Sequence, residues 1–386
     1  MTKETDPARV ESLLSLFTAR AGTLVSELRD LVVRESPSDD APLVTALARH
    51  VAARLTSSGI AAGTVSCDGR GDALVARLGP ETGGTMLLGH LDTVWPKGTI
   101  SEIPFRVDDG VARGPGVFDM KAGIAVAVAV LEAAAKGEVA PASGVTLVLT
   151  PDEEVGTHSS RKLLVDEALK RERVLVLEPA GDGGAAKIAR KGTGLARVRF
   201  HGVAAHAGLE PEKGASALLE LSRYVLFADA LADREVGSSV VPTVARAGDR
   251  TNVVPEWAEV TVDYRVWTAA EGERITAALG GYRPGDARVT IEFEGGVNRP
   301  PMEPNAAALA LYAQAAGIAR GLGFDLPNAR VGGASDGNLT AAAGVPTLDG
   351  LGPSGGGAHA RSEHLLVADL PRRAALLAAM LEGAGS

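Results

Sequence analysis

The chain has 386 residues, 45% of them hydrophobic, enough to bury a large core and to divide into two or three domains. Its 39 Lys and Arg against 48 Asp and Glu give a formal net charge of -9, and neither a basic stripe nor interleaved aromatic residues occur, which argues against nucleic acid or another polyanion as partner. Cys67 is the only cysteine, so an internal disulfide and any multi-cysteine metal site are excluded, and a bound metal has to use His and carboxylate ligands.

In chain order, residues 1–7 are polar and run into an amphipathic segment without the cationic-then-apolar pattern of a secretory leader, so a cytoplasmic location is expected. Val10, Leu13, Leu14, Phe17, Leu24, Val25, Leu28, Leu31 and Val32 recur at helical spacing and predict one amphipathic first helix. Apolar runs then alternate with helical stretches at 86–88, 123–135, 145–149, 158–170 and 174–177, which predicts an α/β layer with buried, largely parallel strands. The longest apolar run, 122–131, is about half of the roughly 20 residues that a membrane span needs, so no membrane partner is expected.

The pattern changes near Gly194. From there it reads strand (196–200), helix (215–232), strand (240–246), strand (258–266), helix (271–279) and strand (289–293), a βαββαβ order that predicts a separate α+β ferredoxin-like unit over 194–301. After the proline-rich stretch 299–304 the alternation resumes, with helices at 306–322 and 370–381 and a strand near 346–348. The small unit is therefore expected as an insertion into one discontinuous α/β domain, 1–193 and 302–386.

Ligands in open α/β sheets gather at the carboxyl ends of strands, and four such ends carry metal-type side chains. In Met86-Leu87-Leu88-Gly89-His90-Leu91-Asp92, alternation puts His90 and Asp92 on one side, where Asp92 can orient the imidazole; a solvated turn is the alternative. Asp119 follows a glycine-bent loop and precedes the apolar helix from Gly123, so it is either that helix's N-cap or a carboxylate bridging two cations. Asp152, Glu153 and Glu154 follow the 145–149 strand. Three adjacent acids are most easily kept ionised there when cations offset their charge, and in an extended chain Glu153 and Glu154 point to opposite sides, one to metal and one to water. A solvated acidic loop is the alternative. Glu178 follows the 174–177 strand, and His359 sits in a glycine-rich loop at 355–364. Two imidazoles and three carboxylates make a donor set suited to Zn2+ or a similar divalent ion.

On these motifs the sequence resembles the zinc metallopeptidase family of glutamate carboxypeptidases, acetylornithine deacetylase, succinyl-diaminopimelate desuccinylase and aminoacylases, over nearly the whole chain. The family's His-x-Asp element matches His90-Leu91-Asp92, its Gly-x-x-Asp-x-Lys element matches 116–121, and its Glu-Glu pair matches Glu153-Glu154. The stretches 91–98, 104–107 and 332–336 are most similar to the carboxypeptidase G branch. The resemblance implies a discontinuous catalytic domain with a mixed, largely parallel sheet and an inserted lid and dimerisation domain, hence a homodimer. It implies two divalent ions, Zn2+ first and Co2+ or Mn2+ as substitutes, one held by His90, Asp119 and Glu178 and the other by the shared Asp119 with Glu154 and His359. It also implies Glu153 as general base, Asp92 behind His90, and His206, in Gly202-Val-Ala-Ala-His206-Ala-Gly208, reaching the site. Asn252 and Arg299 fall where the family holds a substrate carboxylate, a task that suits the planar fork of Arg. Arg190 and Lys191 stand where carboxypeptidase G relatives are neutral. The substrate expected is an N-acyl or peptidyl amino acid with a free carboxylate, a C-terminal glutamate first; an N-acyl-amino-acid deacylase and a non-catalytic metal- or amino-acid-binding dimer are the alternatives.

Overall fold

The computed structural model describes residues 6–383. Residues 1–5, part of the polar start read above as lacking a leader, lie outside the described residues. The chain divides into two compact units, one of Met1–Ala189, Pro304–Val331 and Ser335–Ser386, the other of Arg190–Glu303 and Gly332–Ala334.

The larger unit is built on a six-stranded mixed sheet in the order Ala61–Val65, Ala73–Leu78, Val145–Thr150, Thr85–His90, Arg173–Val176, Thr347–Leu348. The last four strands are mutually parallel, Ala73–Leu78 joins them antiparallel, and Ala61–Val65 pairs antiparallel with Ala73–Leu78 at the edge. Every residue of Thr85–His90 and Val145–Thr150 is buried, as expected of parallel strands covered on both faces. Their register sets His90 beside Thr150 and Leu88 beside Val176, so three carboxyl ends finish along one edge of the sheet. The helix Ala122–Ala135 is apolar apart from Glu132, which pairs with Arg54, and is buried almost throughout. It starts on a close approach: a Cβ on Gly123 would lie 2.1 Å from the Leu177 carbonyl oxygen, so only glycine lets the first turn pack beside the residue preceding Glu178.

Three local outcomes differ from the periodicity. The predicted first helix is two, Pro7–Ala19 and Ala21–Val32, because Arg20 leaves helical geometry and turns its N–H back on Phe17 and Thr18; both pieces still bury the periodic set Val10, Leu13, Phe17, Leu24, Leu28 and Val32. A further helix, Ala41–Ser57, is capped by the Asp40 side chain on the Leu43 N–H with a proline in its first turn. The predicted 158–170 helix is confined to Arg161–Ala168, because the Asp152 carboxylate accepts from the Ser159 N–H at 2.7 Å and from the Ser160 hydroxyl, holding those residues in a turn.

The smaller unit is a four-stranded antiparallel sheet in the order Ser239–Ala247, Trp257–Val266, Gly192–His201, Thr290–Arg299, with helices Ala217–Asp229 and Ala269–Gly281. This is the ferredoxin-like arrangement. Ala196, Val198 and Phe200 alternate inward and pack with Leu221, Tyr224, Ile275 and Leu279. Among the described residues no helix is long and apolar enough to cross a membrane.

Candidate metal centre

At the shared edge of the large sheet, five side chains from distant parts of the sequence meet. His90, the last residue of its strand and only 2% exposed, sets Nε2 at 3.3 Å from Asp119 Oδ1 and 3.5 Å from Glu178 Oε1. His359 sets Nε2 at 3.3 Å from Asp119 Oδ2 and 3.1 Å from Glu154 Oε2. Asp119 therefore turns one carboxylate oxygen to each histidine. Ligand atoms of His90, Asp119 and Glu154 lie within 4.8 Å of one another, as do those of His90, Glu153 and Glu178. His359 is 51% exposed and occupies the left-handed region at φ 62, in a turn closed by the Ala360 N–H on the Gly357 carbonyl. The cluster is thus closed at His90 and open to solvent at His359.

Backbone geometry removes one of the alternatives left by the sequence. Gly116 at φ 70 bends the chain into an irregular turn, Val117–Lys121, in which Asp119 and Met120 leave helical geometry and the peptide between them is cis. The N-cap position of Ala122–Ala135 falls on Lys121, without a side-chain capping bond, so Asp119 does not cap that helix and its carboxylate faces the histidines. Glu153 and Glu154 do not lie on extended chain. Glu153–Val155 is a 3-10 turn, closed by the Gly156 N–H on the Glu153 carbonyl and the Thr157 N–H on the Asp152 carbonyl, and both carboxylates turn toward the same cluster.

Asp92 works differently from the simple alternation picture. The nearest acceptor to His90 Nδ1 is the Asp92 backbone carbonyl at 2.9 Å, with Oδ1 at 3.5 Å. The fully buried Asp92 carboxylate accepts from the N–H groups of Glu153 at 3.1 Å and Glu154 at 3.2 Å and from the Ser38 hydroxyl at 2.7 Å. One residue thus orients the imidazole through its backbone and the acid turn through its side chain. Asp336 supports that turn from the other side, accepting from the hydroxyls of Thr150, at 2.7 Å, and Thr157. Sequence reasoning assigned no role to Asp336, nor to Glu363, whose spacing from His359 is the one signal in the chain that could have singled it out.

The electrostatics follow from crowding carboxylates in a buried place. Burial resists charging of His90, but Asp119, Asp92 and Glu178 outweigh it and hold the imidazole well above its usual range. Asp119 and Glu154 raise His359 to about 10. Burial would lift Asp119, yet the two imidazoles hold it far below the ordinary carboxylate range; Glu154 is pushed up, chiefly by burial. Burial also brings the Lys121 ammonium down to about 7, its Nζ donating to the Arg34 carbonyl at 2.7 Å. Glu154 Oε1 is buried with no hydrogen-bond partner among the described residues, an expense a protein seldom tolerates without a ligand there. The imidazole and carboxylate donors, two on each side with Asp119 as the shared third, fit a divalent ion such as Zn2+ on either side.

The remaining predicted residues belong to the smaller unit. His206 Nδ1 accepts from the N–H groups of Gly208 and Leu209, both at 3.1 Å, which leaves Nε2 as the nitrogen carrying the proton in the neutral ring. The Asn252 segment adjoins it, its carbonyl accepting from the Ala207 N–H at 2.9 Å. Arg299 ends its strand opposite Thr193 and is buried. Arg190 is buried and donates to the Gly333 carbonyl at 3.2 Å, while Lys191 Nζ stands 5.3 Å from the centre of the Trp267 ring.

Comparison with known proteins identifies the family. The family model described as peptidase family M20/M25/M40 matches residues 86–383. Carboxypeptidase G2 of Pseudomonas sp. (strain RS-16) is 29% identical over 393 aligned positions, spanning 97% of this chain and 92% of the relative. Among solved structures, aminopeptidase PepT of Bacillus cereus superposes with a TM-score of 0.80 at 21% identity, covering 94% of this chain and 98% of that one. A Bacillus subtilis protein described as a dinuclear metal-binding M20 peptidase gives 0.67 at 16% identity, covering 95% and 98%. The chain belongs to peptidase family M20/M25/M40 and is a metallopeptidase.

Proposed function

We propose that this member of the family is a two-metal hydrolase that cleaves the amide bond of an N-acyl or peptidyl amino acid bearing a free carboxylate, with a C-terminal glutamate as the leading substrate. The observation that carries the two-metal reading is the shared Asp119, whose oxygens face His90 with Glu178 on one side and His359 with Glu154 on the other. Divalent ions held by these five residues would supply Lewis acidity, acidifying a water and polarising an amide carbonyl.

Glu153 is the general base in this reading. Its carboxylate takes a proton from the attacking water and returns it to the leaving amine nitrogen, so that one amide and one water become a carboxylic acid and an amine. Asp92 keeps the Glu153-Glu154 turn and the His90 ring in register for that transfer. His206 offers the N–H of Nε2 to the developing oxyanion. Asn252 and Arg299 hold the substrate carboxylate, and Arg190 and Lys191 are where the acyl side departs from carboxypeptidase G relatives. The glutamate preference is supported by the 97% span of the likeness to carboxypeptidase G2. A homodimer formed through the smaller unit is part of the same proposal.

The test joins metal analysis to turnover. Two equivalents of a divalent ion per chain, loss of activity on chelation with recovery on adding Zn2+, and a fall of about 100- to 10,000-fold in kcat for Glu153→Gln at unchanged metal content are expected. Full activity in that variant, or no bound ion, refutes the mechanism. Glutamate released from acyl-glutamates identifies the leading substrate class; turnover of acetylornithine or succinyl-diaminopimelate instead reassigns the enzyme as a deacylase. Light scattering that finds a monomer refutes the dimer.

A further inference from the structure

Glu363 lies four residues beyond His359 and is only 3% exposed. Its carboxylate accepts four hydrogen bonds: Oε1 from the N–H groups of Phe118 at 2.9 Å and Asp119 at 3.0 Å, Oε2 from the Gly116 N–H at 2.9 Å and the Trp95 indole N–H at 2.7 Å. Three of these donors are backbone groups of the bent loop that carries Asp119, and the fourth follows His90 and Asp92 in the chain. Its own N–H closes on the Ala360 carbonyl at 2.8 Å, so Glu363 is anchored in the turn that holds His359. A single buried side chain thus joins the three segments that bring His90, Asp119 and His359 together.

We propose that Glu363 is a positioning residue of the metal centre, fixing the Asp119 loop against the His359 turn so that the Asp119 carboxylate presents one oxygen to each histidine. The inference rests on the two-metal reading above. The chemistry of the side chain is specific to the task. An ionised carboxylate is acceptor-only with about four lone-pair sites, matching four N–H donors. Glutamine in its place has nearly the same shape but turns an NH2 group toward two of those donors. Because each carboxylate oxygen faces at least one N–H of the loop backbone, the mismatch in either orientation moves the loop, and Asp119 moves with it.

Purified apoprotein titrated with Co2+, followed by visible absorption and by competition with a chelator, tests this. Glu363→Gln is expected to weaken binding about 10- to 100-fold and to alter the absorption spectrum of the bound ion. Trp95→Phe, which removes one of the four bonds, is expected to weaken binding by a smaller factor in the same direction. Glu220→Gln is the matched control: it too is a buried glutamate accepting backbone N–H groups, from Gly285 and Asp286, but in the smaller unit, and its Co2+ affinity should stay that of the wild type. Glu363→Gln that binds Co2+ with wild-type affinity and spectrum overturns the inference while leaving the two-metal reading intact. If that variant does not fold, Trp95→Phe decides, and wild-type affinity there overturns it. Wild-type protein that takes up no Co2+ overturns the two-metal reading and this inference with it.

Discussion

Asp92→Asn is the substitution whose cost follows most directly from the geometry. The amide oxygen can replace Oδ1 and still accept from the Glu153 N–H, and the Ser38 hydroxyl can reverse to accept from the new NH2 group. Nothing replaces the bond from Oδ2 to the Glu154 N–H, which is left facing another donor inside a fully buried site. One buried donor without a partner costs about 1–3 kcal/mol. At about 2–4 °C per kcal/mol for a domain of roughly this size, the apoprotein should melt roughly 2–12 °C lower. Because the orphaned group belongs to the turn carrying Glu153 and Glu154, kcat/KM should also fall, by about 10- to 100-fold. Scanning calorimetry of apoprotein and steady-state kinetics with saturating Zn2+ read the two effects. Asp92→Asn that melts within 1 °C of wild type and keeps kcat/KM within about twofold would show that the Asp92 carboxylate does not hold the acid turn.

Other substitutions address separate parts of the molecule. Arg299→Ala should raise KM for a carboxylate-bearing substrate with little change in kcat, whereas His206→Ala should lower kcat; a comparison on one substrate checks both, and unchanged kinetics in both would remove the smaller unit from the chemistry. Cys67 is buried, and burial pushes its thiol above the usual range, so less thiolate is present at any given pH. Alkylation by iodoacetamide at pH 8 should be slow in native protein and fast in urea; equal rates would contradict that burial. Leu87→Ala, at a fully buried position in the central strand, should cost about 2–5 kcal/mol, measurable by urea unfolding, and a cost under about 1 kcal/mol would mean the strand is not in the core.

Much of the fold was legible because buried parallel strands leave short, uninterrupted apolar runs, and polar residues just past them mark one edge. Thr85–His90, Val145–Thr150 and Arg173–Val176 are such runs, and His90, Glu154 and Glu178 follow from them. The βαββαβ order of the smaller unit was visible for the opposite reason, since its strands are half-covered and alternate. Less legible were features set by single backbone groups. Nothing in the apolar periodicity announces that the chain breaks at Arg20, and three consecutive acids do not reveal a 3-10 turn, because the bonds that make it come from Asp92 and Thr157, remote or beyond the motif. Ala41–Ser57 is absent from the predicted elements although Asp40 and Pro42 mark its start. Glu363 escaped because three of its four partners are backbone N–H groups, which every sequence offers, and its spacing from His359 names none of them.

The shared carboxylate also imposes an order on biosynthesis. The side of the cluster formed by His90, Asp119 and Glu178 is complete once residue 178 has been made, whereas the side that needs His359 waits for about 180 further residues, including the entire smaller unit. At roughly 5–20 residues per second, that interval lasts on the order of 10–40 s on the ribosome. In the two-metal reading the residues made by then supply one half of the cluster, and hydrolytic competence waits for the His359 turn to meet the Asp119 loop.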